Sequence, residues 1–357
     1  MKKTNNLTKQ IGSFWAHYSY IVVMLVIMVV YAITISANGS SFRWSHITAI
    51  LSSQNTCIIG TMAIGMALVV LTGQIDLSIG SSLVFTTSAC IVVFNMTNSI
   101  LAMIAAALIV GGILGLINGA LVGLAKMPPF IATMGTMLIY RSLSLSVVRS
   151  MDTAISGSTS SQFAMLRSNS KYDFLRFSFG TGKILSIPYI TLVFLLMVLL
   201  FIFVTKKTKY GKSIYAVGSN EKAAHLSGIN TTFIKVSVYV VTGLLVGVAS
   251  VLQACKLGNI TPASSGKSYE MYAIAAIVLG GISMAGGKGN LLGVIFGALS
   301  YTTVNFIIVS IPSLTVDIQD TFQGLVLIIV ILIQTLSPVL KEKAQIAKRR
   351  RLAESGK

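Results

Sequence analysis

The chain reads Leu71-Thr72-Gly73-Gln74-Ile75-Asp76-Leu77-Ser78-Ile79-Gly80-Ser81 between two apolar runs, 56–72 and 78–94. The core of a bilayer is roughly 30 Å thick, and a helix that crosses it needs about 20 apolar residues, or fewer where the helix is broken. We interpret the two runs as short membrane spans, joined at a stretch that carries a glycine and a carboxylate. This pattern is typical of a polytopic membrane protein.

The composition of the whole chain supports this interpretation. Of its 357 residues, 54% are hydrophobic and only 10% are charged, whereas a soluble domain carries about 25% charged residues. So few charges cannot cover a surface that faces water, which excludes an ordinary cytosolic enzyme. Ten apolar runs lie at 18–36, 56–72, 78–94, 100–124, 130–148, 184–204, 233–252, 272–285, 290–310 and 321–340. We therefore predict an all-α polytopic membrane protein with about ten transmembrane helices, some of them short or broken.

The basic residues indicate an orientation. The chain has 27 Lys and Arg residues against 9 Asp and Glu, which gives a net charge of +18. The basic residues lie between and beyond the apolar spans, where the positive-inside rule and anionic lipids account for them, so nucleic acid is not an expected partner. We predict both termini in the cytoplasm. The predicted parts are a cytoplasmic N-terminus at 1–17, a transmembrane domain at 18–340, an extracellular loop at 149–183, a cytoplasmic loop at 205–232 and a basic cytoplasmic tail at 341–357.

The cytoplasmic loop contains a short helix, which we predict at 221–227. Ser219 or Asn220 can cap its start. Glu221 complements the helix dipole there, and Gly228 can end the helix. A helix of two turns is not stable by itself, so it needs a partner surface, either on its own bundle or on another protein. The candidate coupling residues are Gly218, Asn220, Glu221, Ala223, Ala224 and Gly228.

The sequence lacks the motifs of ATP binding, metal binding and catalysis. A phosphate-binding loop has the pattern Gly-x-x-x-x-Gly-Lys-Ser/Thr, and none of the Gly-Lys pairs has a glycine five residues before its own. The histidines and cysteines show no spacing typical of a metal site or a catalytic group. We therefore expect no catalytic residue, no metal and no cofactor, and we expect the chain not to be an enzyme.

Asp76 is the most informative polar residue, because a carboxylate near a membrane span is costly and marks a functional site by default. The alternative is that Asp76 caps the third span, with Ser78 in support. A second glycine-rich region, 280–289, fits either tight helix packing or a hinge. The candidate residues of a translocation path or gate are Gly73, Asp76, Ser78, Asn118, Thr133, Thr136, Glu270, Gly280, Gly281 and Asn305.

Few acids fall inside the predicted spans, and we expect Glu270, Asp317 and Asp320 to flank spans on the outer side. A proton- or sodium-driven carrier usually needs buried acids as ion sites, so their scarcity favours an external source of energy. Uncharged polar residues within the spans, such as Asn118 and Thr133, suit an uncharged hydroxylated solute.

Several blocks of the sequence resemble those of a known family. Residues 72–81 resemble the signature of the ribose/xylose/galactoside class of ABC-transporter permeases, in which glycine is usual at the position of Gln74. The blocks 128–137, 210–230 and 269–289 are similar to further family blocks and follow in family order. The resemblance implies a multi-pass protein of the plasma membrane that pairs with a second copy or a homologous permease. It also implies ABC ATPase subunits, which use the ATP on separate chains, and an extracellular solute-binding protein.

We therefore predict the membrane-spanning permease of an ATP-driven importer for a monosaccharide or a similar small polar solute. Alternatives within the same family are permeases for nucleosides or for a furanosyl signalling molecule. Alternatives of other classes are a self-sufficient secondary transporter, which intramembrane acids would favour, and a membrane-embedded enzyme, which the missing catalytic groups disfavour. A neighbouring ATPase gene would favour the importer.

Overall fold

The computed structural model describes residues 2–158 and 161–311, together with positions 321, 324, 325, 328, 329 and 332. Within those ranges, side chains are described from Tyr20 onward. Apart from those isolated positions, the predicted tenth span (321–340) and basic tail (341–357) lie outside the described residues. Asp317 and Asp320 lie outside them as well.

The described helices follow one another along the chain. They are α1 (Lys2–Ala37), α2 (Trp44–Leu51), α3 (Gly60–Leu71), α4 (Ile79–Thr97), α5 (Ile100–Gly119), α6 (Pro129–Ser150), α7 (Thr153–Ser156), α8 (Tyr189–Lys207), α9 (Lys209–Ser219), α10 (Glu221–Leu226), α11 (Thr231–Leu257), α12 (Tyr269–Leu279) and α13 (Leu292–Val309). π-Helical turns precede α3 (Asn55–Ile59), extend α5 (Ala120–Leu124) and lie before α8 (Phe174–Phe179). Of the described helices, seven are long and apolar enough to cross a membrane. An eighth span results if α2 and the π-turn with α3, bent by 46°, are counted together.

These helices confirm a polytopic helical membrane protein, whereas the total of about ten spans and the cytoplasmic termini stay predictions. The all-α prediction is wrong in one detail, because the described part also holds short strands. β1 (Phe163–Ala164) pairs antiparallel with β4 (Asn259–Ile260), and β2 (Lys183–Ile184) pairs with β3 (Ile187–Pro188). The predicted span 184–204 therefore begins only at Tyr189, after the β2–β3 hairpin.

Helices α3 and α11 form the centre of the bundle. All 12 residues of α3 are buried, and α11 lies against α5 through glycines. A Cβ atom on Gly111 would lie 2.3 Å from the carbonyl oxygen of Gly243, and one on Gly115 would lie 2.3 Å from that of Tyr239. Small residues let membrane helices approach closely enough for their backbones to pack, so these glycines fix the α5–α11 contact.

Two breaks in the helices position the candidate site. Between α3 and α4, residues 72–78 are non-helical, and Gly73 has a φ of +79°, which favours glycine. Helix α12 replaces the predicted span 272–285 and has only 11 residues, a length of about 16 Å that crosses half of a bilayer core. Gly280 follows the last residue of α12, and a Cβ atom added there would lie 2.4 Å from the carbonyl oxygen of Gly293 on α13. Gly280 thus serves tight packing, and Gly281 (φ +80°) turns the chain after it.

Candidate functional site

The carboxylate of Asp76 lies inside the bundle, with only 3% of the residue exposed. Its Oδ1 accepts hydrogen bonds from the Ser78 backbone N–H (2.9 Å) and the Ser78 hydroxyl (2.7 Å). Helix α4 begins at Ile79, and Asp76 accepts no bond from the first turn of that helix among the described hydrogen bonds. The expected cap of the third span by Asp76 is therefore wrong in its position. The side chain instead stabilises the turn before the helix, because Ser78 offers its two donors two residues further on.

Asp76 belongs to a buried polar network that joins the 72–78 break to α5, α6 and α11. Asn118 on α5 donates to the Ser78 hydroxyl (2.7 Å), and the Leu77 N–H donates to the hydroxyl of Thr133 on α6 (3.1 Å). Tyr239 on α11 donates to the carbonyl oxygen of Ile75 (3.1 Å). Buried polar groups that are mutually satisfied fix one arrangement of their backbones. The network therefore holds the break in a defined shape.

The structure brings together four of the predicted path residues in this network, namely Asp76, Ser78, Asn118 and Thr133. Thr136 is buried one turn further along α6 and bonds to the carbonyl oxygen of Thr133 (3.1 Å). Asn305 lies on α13 and joins none of the described hydrogen bonds of the network. Sequence reasoning missed Tyr239, because an aromatic residue in an apolar run carries no signal that its hydroxyl is used.

A second part of the site is α10, which confirms the short helix predicted within residues 205–232. The side chain of Asn220 caps it by accepting from the Ala223 N–H (3.0 Å), so Asn220 rather than Ser219 is the cap. The helix ends at Leu226, and Gly228 follows with a φ of +83°. Glu221 in the first turn pairs with Lys235 of α11 at 2.6 Å, which ties α10 to a central helix.

The two alanines of α10 face opposite ways, which corrects one prediction. Ala224 is 5% exposed and packs into the core of its own chain, so it is not a contact residue for another protein. Ala223 is exposed, and so is Leu226, at 87%. Sequence reasoning missed Leu226, because the direction in which a short helix faces depends on contacts distant in sequence.

Gly218 on α9 is not a surface contact either, because it connects α9 to two other parts of the site. A Cβ atom on Gly218 would lie 1.8 Å from the carbonyl oxygen of Leu71, where α3 ends. The same oxygen accepts a hydrogen bond from the Gly287 N–H (3.0 Å), and a Cβ atom on Gly286 would lie 2.9 Å from the Cα of Gly73. The α9 helix, the end of α3 and the second glycine-rich region therefore meet backbone to backbone.

Two tyrosines of α9 tie this helix to its neighbours, Tyr210 to α11 and Tyr215 to the second glycine-rich region. The hydroxyl groups of Tyr210 and Ser237 lie 3.0 Å apart, and Tyr215 donates to the carbonyl oxygen of Gly289 (3.0 Å). Burial raises the pKa of Tyr210, an effect that the hydrogen bond with Ser237 partly offsets. Burial also raises the pKa of Tyr215. Both phenols therefore stay protonated across the physiological pH range and keep these bonds.

An open cavity of about 910 Å³ lies between α10, α11 and the 72–78 break. Thr72, Gly73 and Gln74 form one wall, and Glu221, Lys222 and Leu226 of α10 lie on another. Among the described residues, no group of three or more His, Cys, Asp or Glu side chains could hold a metal ion. Because both line this cavity, the 72–78 break and α10 lie at the same end of the bundle.

Glu270 corrects another prediction. It was expected to flank a span on the outer side, yet it lies in the first turn of α12, close to Gly80 at the start of α4. A Cβ atom on Gly80 would lie 2.9 Å from Oε2 of Glu270. Together with Asp76, it is a second carboxylate within the helix bundle. Acids are still few inside the described bundle, but Glu270 adds one that the sequence did not place there.

In the second half of α6, the face that its own chain leaves open carries polar side chains beside apolar ones such as Leu143 and Val147. Ser142, Ser146, Arg149 and Ser150 are exposed and, with Leu145, line a recess of about 430 Å³. The opposite face of α6, with Thr133, Thr136, Tyr140 and Ser144, is buried.

The comparisons with known proteins fit this arrangement. The family described as "Branched-chain amino acid transport system / permease component" matches residues 47–331. The chain belongs to this permease family. The permease is 33% identical over 339 residues to the "Ribose import permease protein RbsC" of Haemophilus influenzae, covering 94% of this chain and 97% of the relative. It is 34% identical over 276 residues to RbsC of Escherichia coli (strain K12), covering 77% and 81%.

The similarity also extends to permeases with other names. The "D-allose transport system permease protein AlsC" of Escherichia coli is 31% identical over 296 residues, covering 82% of the permease and 83% of the relative. No solved structure matches the permease. The resemblance to ribose-type ABC permeases is thus confirmed, and the permease is a multi-pass protein of the plasma membrane.

Proposed function

We propose that the permease is the membrane-spanning subunit of an ATP-driven importer and that its solute passes along the open face of α6. That polar face is the observation that carries the proposal. Helix α6 has 22 residues, a length of about 33 Å that suffices to cross a bilayer core. If this face met lipid, the hydroxyls of Ser142 and Ser146 would lie against hydrocarbon, which is costly, whereas Arg149 and Ser150 lie at the end of the helix. The open face of α6 therefore faces water or another protein.

The permease supplies one wall of such a path, so a second wall is needed. A second copy, or a homologous permease, that presents its own α6 would close the path and cover the face in one arrangement. Serine hydroxyls can both donate and accept hydrogen bonds, which suits a solute rich in hydroxyl groups. Two relatives are named for ribose and allose. We infer a monosaccharide or a similar small polar solute, delivered by an extracellular binding protein.

Coupling to ATP would occur at the α10 end. An ATPase subunit that covers Leu226 gains the burial of a side chain that is 87% exposed in the single chain. Displacement of α10 would reach α9 directly, and from Gly218 it would reach the end of α3 and the Asp76 network. We therefore assign Asn220, Glu221 and Gly228 to the shape of the coupling helix, and Gly218 to its connection with the path.

The path along α6 is testable by cysteine accessibility, because the native Cys57, Cys90 and Cys255 are all buried. Ser142→Cys should react with a charged, membrane-impermeant thiol reagent about tenfold faster than Leu199→Cys, because the reactive thiolate forms only where water reaches the sulfur. Leu199 is the matched control, since it is 60% exposed on the apolar helix α8. Equal, slow reaction of both variants would show that the α6 face meets lipid.

A secondary transporter is the second candidate, favoured by one observation. Asp76 and Glu270 lie within the bundle, where an ion-driven carrier would hold its coupling ions. The Asp76 carboxylate is, however, already engaged by both donors of Ser78. Accumulation of sugar in vesicles that contain the permease alone, driven by a proton or sodium gradient, would favour this candidate over the importer.

A further inference from the structure

The segment between α11 and α12 re-enters the bundle. Helix α11 ends at Leu257, and after β4 the chain returns beside the start of α4, where an added Cβ on Gly80 would lie 2.4 Å from the Gly266 carbonyl oxygen. Ser250 on α11 donates to the carbonyl oxygen of Leu83 on α4 (3.3 Å). Ser250 and Leu83 are thus at the same level of the bundle. The end of α11 lies seven residues above Ser250, and Gly80 lies three residues below Leu83. At a helical rise of about 1.5 Å per residue, Gly266 therefore lies about 15 Å below the end of α11.

Non-helical backbone at such a depth is tolerated only where protein buries it or where it lines a water-filled space. We call residues 258–268 the re-entrant segment. Some of its residues are buried by protein, and others are exposed. Pro262 and Gly266 are buried, whereas Ala263, Ser264, Lys267 and Ser268 are exposed. Lysine and serine side chains suit water and not hydrocarbon. The exposed side of the re-entrant segment therefore faces the same kind of space as the polar face of α6.

Arg141 fastens the re-entrant segment to α6. Its guanidinium donates to the carbonyl oxygens of Pro262 (2.9 Å) and Ser265 (2.5 Å). Arg141 lies 12 residues after Pro129 and nine before Ser150, the two ends of α6, or about 18 Å and 14 Å along the helix axis. The contact is therefore close to the middle of the span, one residue from the exposed Ser142.

Glu270 completes this cluster. It is half-buried, and its carboxylate is attracted by the charge of Arg141 and repelled by that of Asp76. Among the described hydrogen bonds, its carboxylate meets only its own backbone N–H. A carboxylate has about four acceptor positions, so most of its capacity is unused. Both described hydrogen bonds of Arg141 start from Nη1 and end on carbonyls of the re-entrant segment, so Arg141 acts on Glu270 by position and charge.

We propose that Glu270 is a solute contact at the centre of the path, where its carboxylate accepts hydrogen bonds from neighbouring hydroxyls of an uncharged polyol. Arg141 is the positioning residue that keeps the re-entrant segment and Glu270 against α6. The proposal rests on the path along α6 and deepens it. It also gives the path a charge preference, because a carboxylate disfavours an anionic solute.

The test is uptake of radiolabelled D-ribose, D-allose, D-fructose and D-galactose into proteoliposomes that contain the permease with its ATPase subunits and binding protein. For whichever sugar the wild type accumulates, Glu270→Gln should lower the initial rate about tenfold, since charged hydrogen bonds are stronger than neutral ones. Glu270→Asp should restore part of it. ATP hydrolysis stimulated by the binding protein and the unfolding temperature should remain close to wild type. Wild-type uptake by Glu270→Gln would overturn the proposal, as would a parallel loss of uptake and folding in both variants.

The role of Arg141 is separated from mere packing by a double-mutant cycle. If Arg141 acts through Glu270, then Arg141→Gln combined with Glu270→Gln should transport no more slowly than the slower single variant, because interacting residues are not additive. Independent, multiplicative losses would show that Arg141 is only structural. Fast labelling of Ser142→Cys together with normal transport by Glu270→Gln would leave the α6 path standing and refute this proposal alone. Slow labelling with no uptake of any sugar by the wild type would refute both.

Discussion

Gly218→Ala perturbs a backbone contact between α9 and the end of α3. The added Cβ atom would lie 1.8 Å from the carbonyl oxygen of Leu71 and 2.7 Å from the nitrogen of Gly287. An ordinary contact begins at 3.4 Å, so α9 must move by about 1.6 Å. Overpacking of this kind costs about 1–3 kcal/mol, and loss of the Gly287–Leu71 hydrogen bond adds about 0.5–1.5 kcal/mol. We expect a destabilisation of about 2–4 kcal/mol at this junction.

The assay compares sugar uptake with ATP hydrolysis in the assembled complex. Because α10 stays folded and exposed, the complex should still assemble and hydrolyse ATP. The amount of sugar moved per ATP should fall about tenfold, which corresponds to a loss of about 1.4 kcal/mol in coupling out of the destabilisation at the junction. Gly112→Ala on α5 is the matched control, since its Cβ would meet Leu244 at an ordinary 3.4 Å. If Gly218→Ala kept the wild-type unfolding temperature and the wild-type ratio of uptake to ATP, the proposed connection would be refuted.

Three further predictions address separate parts of the site. Leu226→Ser should weaken ATPase binding about tenfold, since burying a leucine is worth about 1.5–3 kcal/mol, and should leave the unfolding temperature unchanged. Ala224→Trp should instead lower the unfolding temperature. Equal ATPase affinity of Leu226→Ser and wild type in a pull-down titration would contradict the docking surface. Asp76→Asn should keep most transport, because an amide oxygen can accept the same two bonds, whereas Asp76→Leu should lose about 1–3 kcal/mol of stability through unpaired donors; a folded Asp76→Asn without transport would point to a role for the charge. Tyr210→Phe should cost about 0.5–1.5 kcal/mol through the lost bond with Ser237, and an unchanged denaturation midpoint would show that this bond contributes nothing.

Local chemistry explains what the sequence could predict. The caps of α10 follow from contacts within three or four residues, so Asn220 and Gly228 could be recognised as the start and end signals of a short helix. Long apolar runs likewise predict spans, because length and hydropathy alone decide them. The Asp76 network was half predicted: the polar residues were visible, but their meeting depended on how α5 and α6 pack.

Contacts distant in sequence explain what could not be predicted. Ala224 faces the bundle only because α10 is held against α11, a direction that a six-residue segment does not encode. Gly218 resembles a loop glycine until Leu71 is brought beside it. Glu270 was expected at an outer edge because the re-entrant segment has no sequence pattern of its own; its depth follows from the contacts of Arg141 and Gly80.

We propose that the permease moves a sugar with energy supplied by separate ATPase chains. The most direct test is sugar uptake into proteoliposomes that hold the permease, its ATPase subunits and its binding protein. Uptake is measured with and without ATP on the side of the membrane where the ATPase subunits lie. We predict accumulation that requires ATP and all three components, and none in vesicles that hold the permease alone under a proton or sodium gradient. Gradient-driven accumulation by the permease alone would show that separate ATPase chains do not supply the energy.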